Sequence, residues 1–243
     1  MSDSDLLVIV PTRGRRANCE RLLGSFTETA SPGTDLLFVT DGDDDAYDGM
    51  DWGNSVQAVL EPREYLTGKL NKTALAMADV YDVIAWFGDD CVFRPPADEG
   101  TPAWDRAMLG VLAEMGGSGW VYADDKRRHD VPEHWMCSSD IIRELGWYAN
   151  PALGHFYIDN TVAELGKRSG LIRYCPQAVV EHLHYSVAPE AVRDEVYQST
   201  EEMFGASDLQ AFHQWRADVM PYEVARLRRR FSPDVSWVLG RVA

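Results

Sequence analysis

The chain has 243 residues, of which 45% are hydrophobic and 26% are charged, a balance that is typical of a globular protein and excludes a disordered or fibrous one. Asp and Glu number 39 against 23 Lys and Arg, so the net charge is −16. A surface this acidic repels phosphate backbones and argues against nucleic acid as a general partner.

The four cysteines lie far apart in the sequence and form no Cys-x-x-Cys pair. This spacing favours reduced thiols over a disulfide framework or a zinc site. No apolar run approaches the ~18 residues that a transmembrane helix needs, and the acidic N-terminus does not resemble a signal peptide. We therefore expect a protein of the cytoplasm, the host cytoplasm if the chain is phage-encoded, with no membrane span.

The first half of the sequence alternates apolar runs with helical patterns. Buried strands are predicted at residues 6–10 and 36–40, a third strand at 56–60, and a helix from about 67 to 80. Acidic residues follow two of the apolar runs, at Asp41 and at Asp89 and Asp90. Alternating strands and helices with polar strand ends predict an open α/β sheet whose crevice lies at the carboxyl ends of the strands.

The second half continues with shorter elements. The pattern predicts helices at 104–115, 141–145 and within 155–165, and strands at 120–123, 171–174 and 178–180. Periodic apolar positions from Val192 onward indicate further helices, with Ser207 as an N-cap and Pro221 ending or restarting a helix. We expect residues 1–185 to form the main domain and residues 186–243 a helical extension packed on it, with a homodimer contact through these helices as a further expectation.

The central stretch, residues 84–93, is apolar on both sides of Gly88, Asp89 and Asp90. Adjacent carboxylates repel each other, so a divalent cation that bridges them to phosphate oxygens would explain the pair. Gly-Asp-Asp is also good turn chemistry, and a plain turn between two strands is the alternative.

The order of the motifs is more specific than any one of them. The motifs are Pro11-Thr12-Arg13 after the first strand, Asp41 after the second, Lys69 and Asn71 on the next loop and helix, Gly88-Asp89-Asp90, Asp159, and Glu181-His182-Leu183-His184. This order resembles the GT-A glycosyltransferases, above all the compact bacterial and phage-encoded members related to family two. The resemblance covers roughly residues 5 to 185 and implies a Rossmann-like, open, mixed but mostly parallel sheet flanked by helices.

The resemblance implies a nucleotide-diphosphate-sugar donor and an acceptor hydroxyl, which a glycan, a protein or a modified nucleobase could supply. The residues expected around the donor are Pro11, Thr12, Arg13, Asp41, Lys69, Asn71 and Asp89. The net charge of −16 weighs modestly against DNA as the acceptor.

The resemblance also implies a Mn²⁺ or Mg²⁺ ion held by Asp90 and by His182 or His184. Cys91 stands where a third acid is common in the family, which leaves fewer carboxylates. Imidazole together with carboxylate favours Mn²⁺. The sequence leaves open which histidine binds.

Asp159 falls where inverting members of the family have the catalytic base, which takes the proton of the acceptor hydroxyl. A helix N-cap is the structural alternative, because Asp before Asn-Thr-Val-Ala is suited to that place. If Asp159 only caps, a retaining reaction remains open.

Other interpretations carry less weight. Asp43 and Asp45 do not fit a calcium loop, because Ala46 stands where the loop needs Gly, and Trp52 stands where it needs an acid. An aspartyl nucleophile at residues 41–43, a sugar nucleotidyltransferase and a non-catalytic nucleotide- or glycan-binding module are the alternative functions. Trp135, beside His134, is a candidate contact for the acceptor.

Overall fold

The computed structural model of the chain describes residues 5–184 and 195–231. The strands are β1 (Leu6–Pro11), β2 (Thr34–Asp41), β3 (Val56–Leu60), β4 (Val83–Trp86), β5 (Cys91–Phe93), β6 (Trp120–Asp124), β7 (Trp135–Ser138) and β8 (Ile172–His182). The helices are α1 (Arg16–Thr29), α2 (Leu66–Met77), α3 (Trp104–Glu114), α4 (Ser139–Leu145), α5 (Ile158–Ser169), α6 (Glu195–Asp218) and α7 (Met220–Phe231).

The strands form one sheet in the order β3-β2-β1-β4-β7-β6-β8-β5. Strand β1 runs parallel to β2 and β4, β2 parallel to β3, and β6 parallel to β8. Strand β7 runs antiparallel to β4 and β6, and β5 antiparallel to β8. The prediction of an open mixed, mostly parallel sheet is therefore confirmed.

The alternation of side chains along β1 divides the core into two layers. Leu7 and Ile9 belong to one apolar cluster, and Leu6, Val8 and Val10 to the other. All five are almost fully buried, as expected for a central strand covered on both faces.

Helices cover both faces of the sheet. Side chains of α1 and α3, such as Leu22 and Met108, pack into the cluster that contains Val8. Side chains of α2, α4, α5, α6 and α7 pack into the cluster that contains Ile9, and Trp215 and Leu227 of the last two helices are almost fully buried there. The described C-terminal helices are thus part of the main core.

Several sequence predictions need correction. The strand β7 was not predicted, and the two short strands expected at 171–174 and 178–180 are one strand, β8. Ser207 is not an N-cap, because it lies inside α6 and donates to the carbonyl of Phe204. Pro221 is the second residue of α7, so it does restart a helix.

Some predictions fall outside the described residues. The domain boundary at 185/186 and the helical position Val192 lie outside them, and the expected homodimer stays a prediction. Within residues 5–184 and 195–231, no helix is long and apolar enough to span a membrane.

Candidate active site

A cavity of about 600 Å³ opens at the carboxyl ends of β1, β4 and β8. Six residues predicted from the sequence line it: Pro11, Asp89, Asp90, Asp159, His182 and His184. The carboxyl ends of β1 and β4 meet there because the two strands are parallel neighbours in the sheet.

Asp89 and Asp90 lie in the turn between β4 and β5, closed by a hydrogen bond from the Cys91 amide to the Gly88 carbonyl. The turn predicted as the alternative is therefore present, and both acids also line the cavity. The two acids contribute to the same cavity but have different partners.

Asp89 is tied to the loop that follows β1. Its Oδ2 accepts the Thr12 hydroxyl at 2.7 Å, and its Oδ1 lies 3.3 Å from donors on both Arg15 and Asn18. Burial raises the pKa of Asp89, while the charge of Arg15 opposes that rise. Asp89 thus holds the β1 loop and the start of α1 against the cavity.

Asp90 faces the end of β8. The antiparallel register sets Cys91 opposite His182, which brings His182 Nε2 to 3.3 Å from Asp90 Oδ2. The other ring nitrogen, Nδ1, lies 2.8 Å from Glu133 Oε2, and Arg127 contacts the same oxygen at 2.6 Å. Both acids therefore share the imidazole of His182.

These contacts determine the charge of His182 in the protein without metal. Burial disfavours the imidazolium, but the charge of Asp90 and the hydrogen bonds to Asp90 and Glu133 outweigh burial and raise the pKa of His182 to about 9. Burial also opposes ionisation of Glu133, yet His182 and Arg127 lower its pKa to about 2. The acids and the imidazole form a buried network of paired charges.

The donor atoms around Asp90 fit a divalent cation. A carboxylate beside imidazole nitrogens is a set that Mn²⁺ accepts, and the rings of His182 and His184 lie 5.3 Å apart by their centroids at the mouth of β8. Asp90, Cys91 and His134 form a second group, with ligand atoms within 4.8 Å of one another. Burial raises the pKa of the Cys91 thiol well above its usual value, so the thiolate needed for metal binding is disfavoured. On the His182 side of Asp90, a cation would have to displace the proton that the imidazole holds at its pKa of about 9.

The other predicted donor residues are not part of the cavity lining. Asp41 ends β2 almost fully buried, and its Oδ2 accepts from Lys69 Nζ at 2.9 Å and from Arg13 at 3.0 Å. Lys69 also donates to the Thr12 carbonyl at 2.8 Å. Burial lowers the pKa of Lys69. Lys69 and Asp41 thus join β1, β2 and α2 behind the loop that carries Thr12.

Asn71 has a different role from the one predicted. Its amide oxygen accepts from the backbone N–H groups of Tyr148 and Ala149 at 2.8 and 2.9 Å, and its amide nitrogen donates to the Ala149 carbonyl at 2.8 Å. Because the side-chain amide of Asn71 makes its hydrogen bonds to the backbone of the loop at 148–149, Asn71 holds that loop and is not directed at a diphosphate.

Asp159 lines the cavity as the second residue of α5. The N-cap position belongs to Tyr157, whose φ is 64°, so the interpretation of Asp159 as the N-cap is wrong. Burial raises the pKa of Asp159 to about 6, although a hydrogen bond from the Asn160 amide at 2.8 Å favours the carboxylate. A carboxylate with a pKa near neutrality is suited to act as a general base.

Sequence reasoning missed several residues of the cavity: Arg15, Arg127, Glu133, His134 and His155. Arg15 stands in the same loop as Arg13, and Arg127 in a basic run that reads as solvated. Glu133 carried no sequence signal. Trp135 was expected near the acceptor, but it is fully buried in β7 and stacks on Tyr148 at 5.6 Å.

The fold matches solved glycosyltransferases. The mannosyltransferase PcManGT from Pyrobaculum calidifontis, solved with GDP-Man and Mn²⁺, superposes with a TM-score of 0.53 at 14% identity, over 93% of this chain and 73% of that one. Glucosyl-3-phosphoglycerate synthase from Mycobacterium tuberculosis, solved with Mn²⁺, UDP and phosphoglyceric acid, gives 0.58 at 14% identity, over 86% and 78%. S. aureus TarS 1-349 with UDP gives 0.52 at 12% identity, over 94% and 70%.

These similarities establish the fold of the chain as the GT-A fold. No protein-family model matches the sequence, and no curated protein matches it. At identities of 12–14% these similarities show the fold alone, because one fold supports many functions.

Proposed function

We propose that this chain is a metal-dependent glycosyltransferase that moves a sugar from a nucleotide-diphosphate donor to an acceptor hydroxyl. The carrying observation is that Asp90, joined to His182, and Asp159, with its raised pKa, line one cavity at the strand ends. The GT-A neighbours support this proposal, because PcManGT was solved with GDP-Man and Mn²⁺.

On this proposal Asp90 and His182 hold the cation, with His184 beside them. A bound Mn²⁺ or Mg²⁺ would act as a Lewis acid that neutralises charge on the departing nucleoside diphosphate. Before the cation binds, His182 contacts Asp90 through one ring nitrogen and Glu133 through the other. These two contacts keep the side chains in place without the ion.

Asp159 then serves as the base of an inverting reaction. It takes the proton from the acceptor hydroxyl as that oxygen attacks the anomeric carbon on the face opposite the leaving diphosphate. Its pKa of about 6 leaves the carboxylate mostly ionised at neutral pH and still able to accept a proton. Transfer with inversion is the stereochemical consequence of this single displacement.

Arg15 and Asp89 shape the donor side of the cavity, and the Thr12 hydroxyl supports Asp89 from behind it. The guanidinium of Arg15 is the basic group of the β1 loop that lines the cavity, and it suits diphosphate oxygens. Asp89 orients this guanidinium from 3.3 Å. Asp41 and Lys69 fix the ends of β1 and β2 from which this loop departs.

The test is the thermal stability of the purified protein with UDP, GDP, ADP, CDP and dTDP, each with and without Mn²⁺. A ligand at a hundredfold excess over its Kd stabilises the native state by about 2.7 kcal/mol. We expect one nucleotide to raise the melting temperature only when Mn²⁺ is present. The sugar nucleotides of that base are then assayed for release of the nucleoside diphosphate.

The outcomes separate the candidate functions. A metal-dependent shift followed by release of the diphosphate supports a transferase, and the anomeric configuration of the product, read by NMR, decides between inversion and retention. A shift without turnover of any sugar nucleotide would favour a non-catalytic binding module. Absence of a shift with all five nucleotides contradicts the proposal.

A further inference from the structure

The loop at 154–157 forms one wall of the cavity and leads directly into α5. His155, Phe156 and Tyr157 line the cavity, and Asp159 follows two residues later. The conformation of this loop therefore determines where the Asp159 carboxylate lies.

One side chain of α6 binds three successive backbone amides of this loop. Asp208 Oδ1 accepts from the Gly154 amide at 3.0 Å, and Oδ2 accepts from the amides of His155 and Phe156 at 2.8 Å each. Asp208 is only 3% exposed. A carboxylate in a concavity of backbone N–H groups is a strong, charge-assisted arrangement.

The same face of α6 makes further contacts with the loop. The ring of Phe204 packs so close to Gly154 that a Cβ at position 154 would lie 2.3 Å from it. The ring of Phe212 stacks on Tyr157 with centroids 5.5 Å apart. Residues 204, 208 and 212 are spaced by one turn each, so they form a single stripe against the loop.

The loop needs such support. Tyr157 adopts a left-handed conformation, with φ of 64°, which is unfavourable for a residue with a side chain. From the other side the loop has one backbone contact with the start of α2, where the Thr67 amide donates to the Gly154 carbonyl at 3.3 Å. Without Asp208, three partly buried amides of this strained loop would lose their acceptor.

We propose that Asp208 is a positioning residue that holds the loop at 154–157 in its strained form and thereby places Asp159 in the cavity. The helix α6, which follows the segment resembling the GT-A family, is then part of the active site. The role of Asp208 in turnover rests on the proposed glycosyltransferase function, whereas its hold on the loop does not.

The experiment compares the full-length wild type with Asp208→Asn, Asp208→Ala and the control Glu202→Gln. Glu202 is an exposed carboxylate of the same helix, so the control removes the same charge without touching the loop. In Asp208→Asn, the side chain retains one carbonyl oxygen as an acceptor and turns an amide N–H₂ toward the loop. This milder variant remains available if Asp208→Ala fails to fold. Hydrogen exchange of peptides that cover residues 150–160 reports the loop directly.

We expect the loop amides to exchange at least about tenfold faster in Asp208→Asn than in the wild type and in Glu202→Gln, while peptides from β1 and β4 stay protected. The Mn²⁺-dependent thermal shift with the nucleotide should be retained, because Thr12, Asp89 and Asp90 are unchanged. Release of nucleoside diphosphate from the donor should fall on the order of a hundredfold in kcat, with little change in the KM of the donor. A general loss of structure would instead abolish the nucleotide shift as well.

Two results would overturn the inference: unchanged exchange of the loop amides in Asp208→Asn, or faster exchange with wild-type turnover. If the wild type itself shows neither a nucleotide shift nor turnover, the proposed function and the part of Asp208 in it fail together. The exchange measurement then still decides whether Asp208 holds the loop.

Discussion

His182 Nε2 lies 3.3 Å from the Oδ2 atom of Asp90, although 92 residues separate the two side chains in the sequence. The register of β5 against β8 creates this contact, because it pairs Cys91 with His182 and leaves Asp90 one residue before that pair. The carboxylate thus reaches the cavity from the turn before β5 and the imidazole from the end of β8, in a geometry that the pairing of β5 with β8 fixes before any ligand binds.

This contact predicts which residues metal binding needs. Asp90→Ala should abolish the Mn²⁺-dependent stabilisation by nucleotide, and His182→Ala should weaken Mn²⁺ binding at least about tenfold, the effect reached when even the outer partners of a metal site are removed. His184→Ala should weaken it less, because the contact with Asp90 is made by His182. Titration calorimetry of Mn²⁺ with each variant measures the order.

Glu181→Gln is the matched control, since Glu181 neighbours His182 in β8 but pairs with Arg94 instead of with the cavity residues. It should bind Mn²⁺ as the wild type does. If His184→Ala loses more affinity than His182→Ala, the assignment of His182 as the principal histidine ligand is wrong.

The hydrogen bonds of Asn71 predict that its substitution lowers stability but leaves nucleotide binding unchanged. Asn71→Ala removes three hydrogen bonds to the loop at 148–149 and should lower the free energy of unfolding by about 1–3 kcal/mol, the cost of buried polar groups left without partners. The nucleotide-induced shift should remain. Chemical denaturation and nucleotide titration measure the two quantities.

The exposed neighbour Lys72 supplies the control, because its surface pair with Glu64 contributes little to stability. Lys72→Ala should change neither quantity appreciably. A loss of nucleotide affinity in Asn71→Ala at unchanged stability would instead support the diphosphate contact expected from the sequence.

The buried pair of Lys69 and Asp41 predicts a large loss of stability. Lys69→Met leaves the Asp41 carboxylate without its ammonium partner in a place where it is only 2% exposed, and breaking such a pair costs about 3–5 kcal/mol. Arg13 remains within 3.0 Å of Asp41, so the lower end of this range is expected. Urea unfolding of the variant checks the value, and a loss below about 1 kcal/mol would contradict a structural role for this pair.

The elements that the sequence predicted best are those whose signal is local. The apolar runs that became β1, β2 and β4 are largely buried and read as continuous hydrophobic stretches, whereas β3 is a largely exposed edge strand. Strand β7 has four residues and no alternation, so nothing local distinguishes it from a loop. Strand β8 contains Pro176, and the sheet accommodates it at the irregularity beside Asp124.

The residues of the candidate site likewise divide into those with a local sequence signal and those without one. Asp90, Asp159, His182 and His184 line one cavity, and the sequence singled them out because their motifs follow one another in a recognisable order. Glu133 was missed because its importance comes from His182, 49 residues away, and only the folded chain brings them together. Lys69 and Asn71 were expected at the diphosphate because a sequence shows the polar group but not the internal partner that satisfies it.

The raised pKa of Asp159 predicts that stability falls and activity rises as the pH increases. Its pKa rises from 3.8 to about 6 on folding, so the native state binds the proton more tightly than the unfolded state does, and stability is lost as the pH rises through this interval. The shift corresponds to at most about 3 kcal/mol, and partial solvent access reduces the expected value to about 1–2 kcal/mol.

Asp159→Asn is uncharged at every pH, so its melting temperature should exceed that of the wild type at about pH 8 and approach it at about pH 4. Asp79→Asn is the control, because the Asp79 side chain is 88% exposed, and its difference from the wild type should not vary with pH. The nucleotide shift of Asp159→Asn should persist while transfer is lost, and wild-type transfer should rise with pH through about 6 as the base ionises. Transfer by Asp159→Asn at the wild-type rate would show that Asp159 is not the base. An equal difference in melting temperature between the variant and the wild type at both pH values would show that ionisation of Asp159 does not oppose folding.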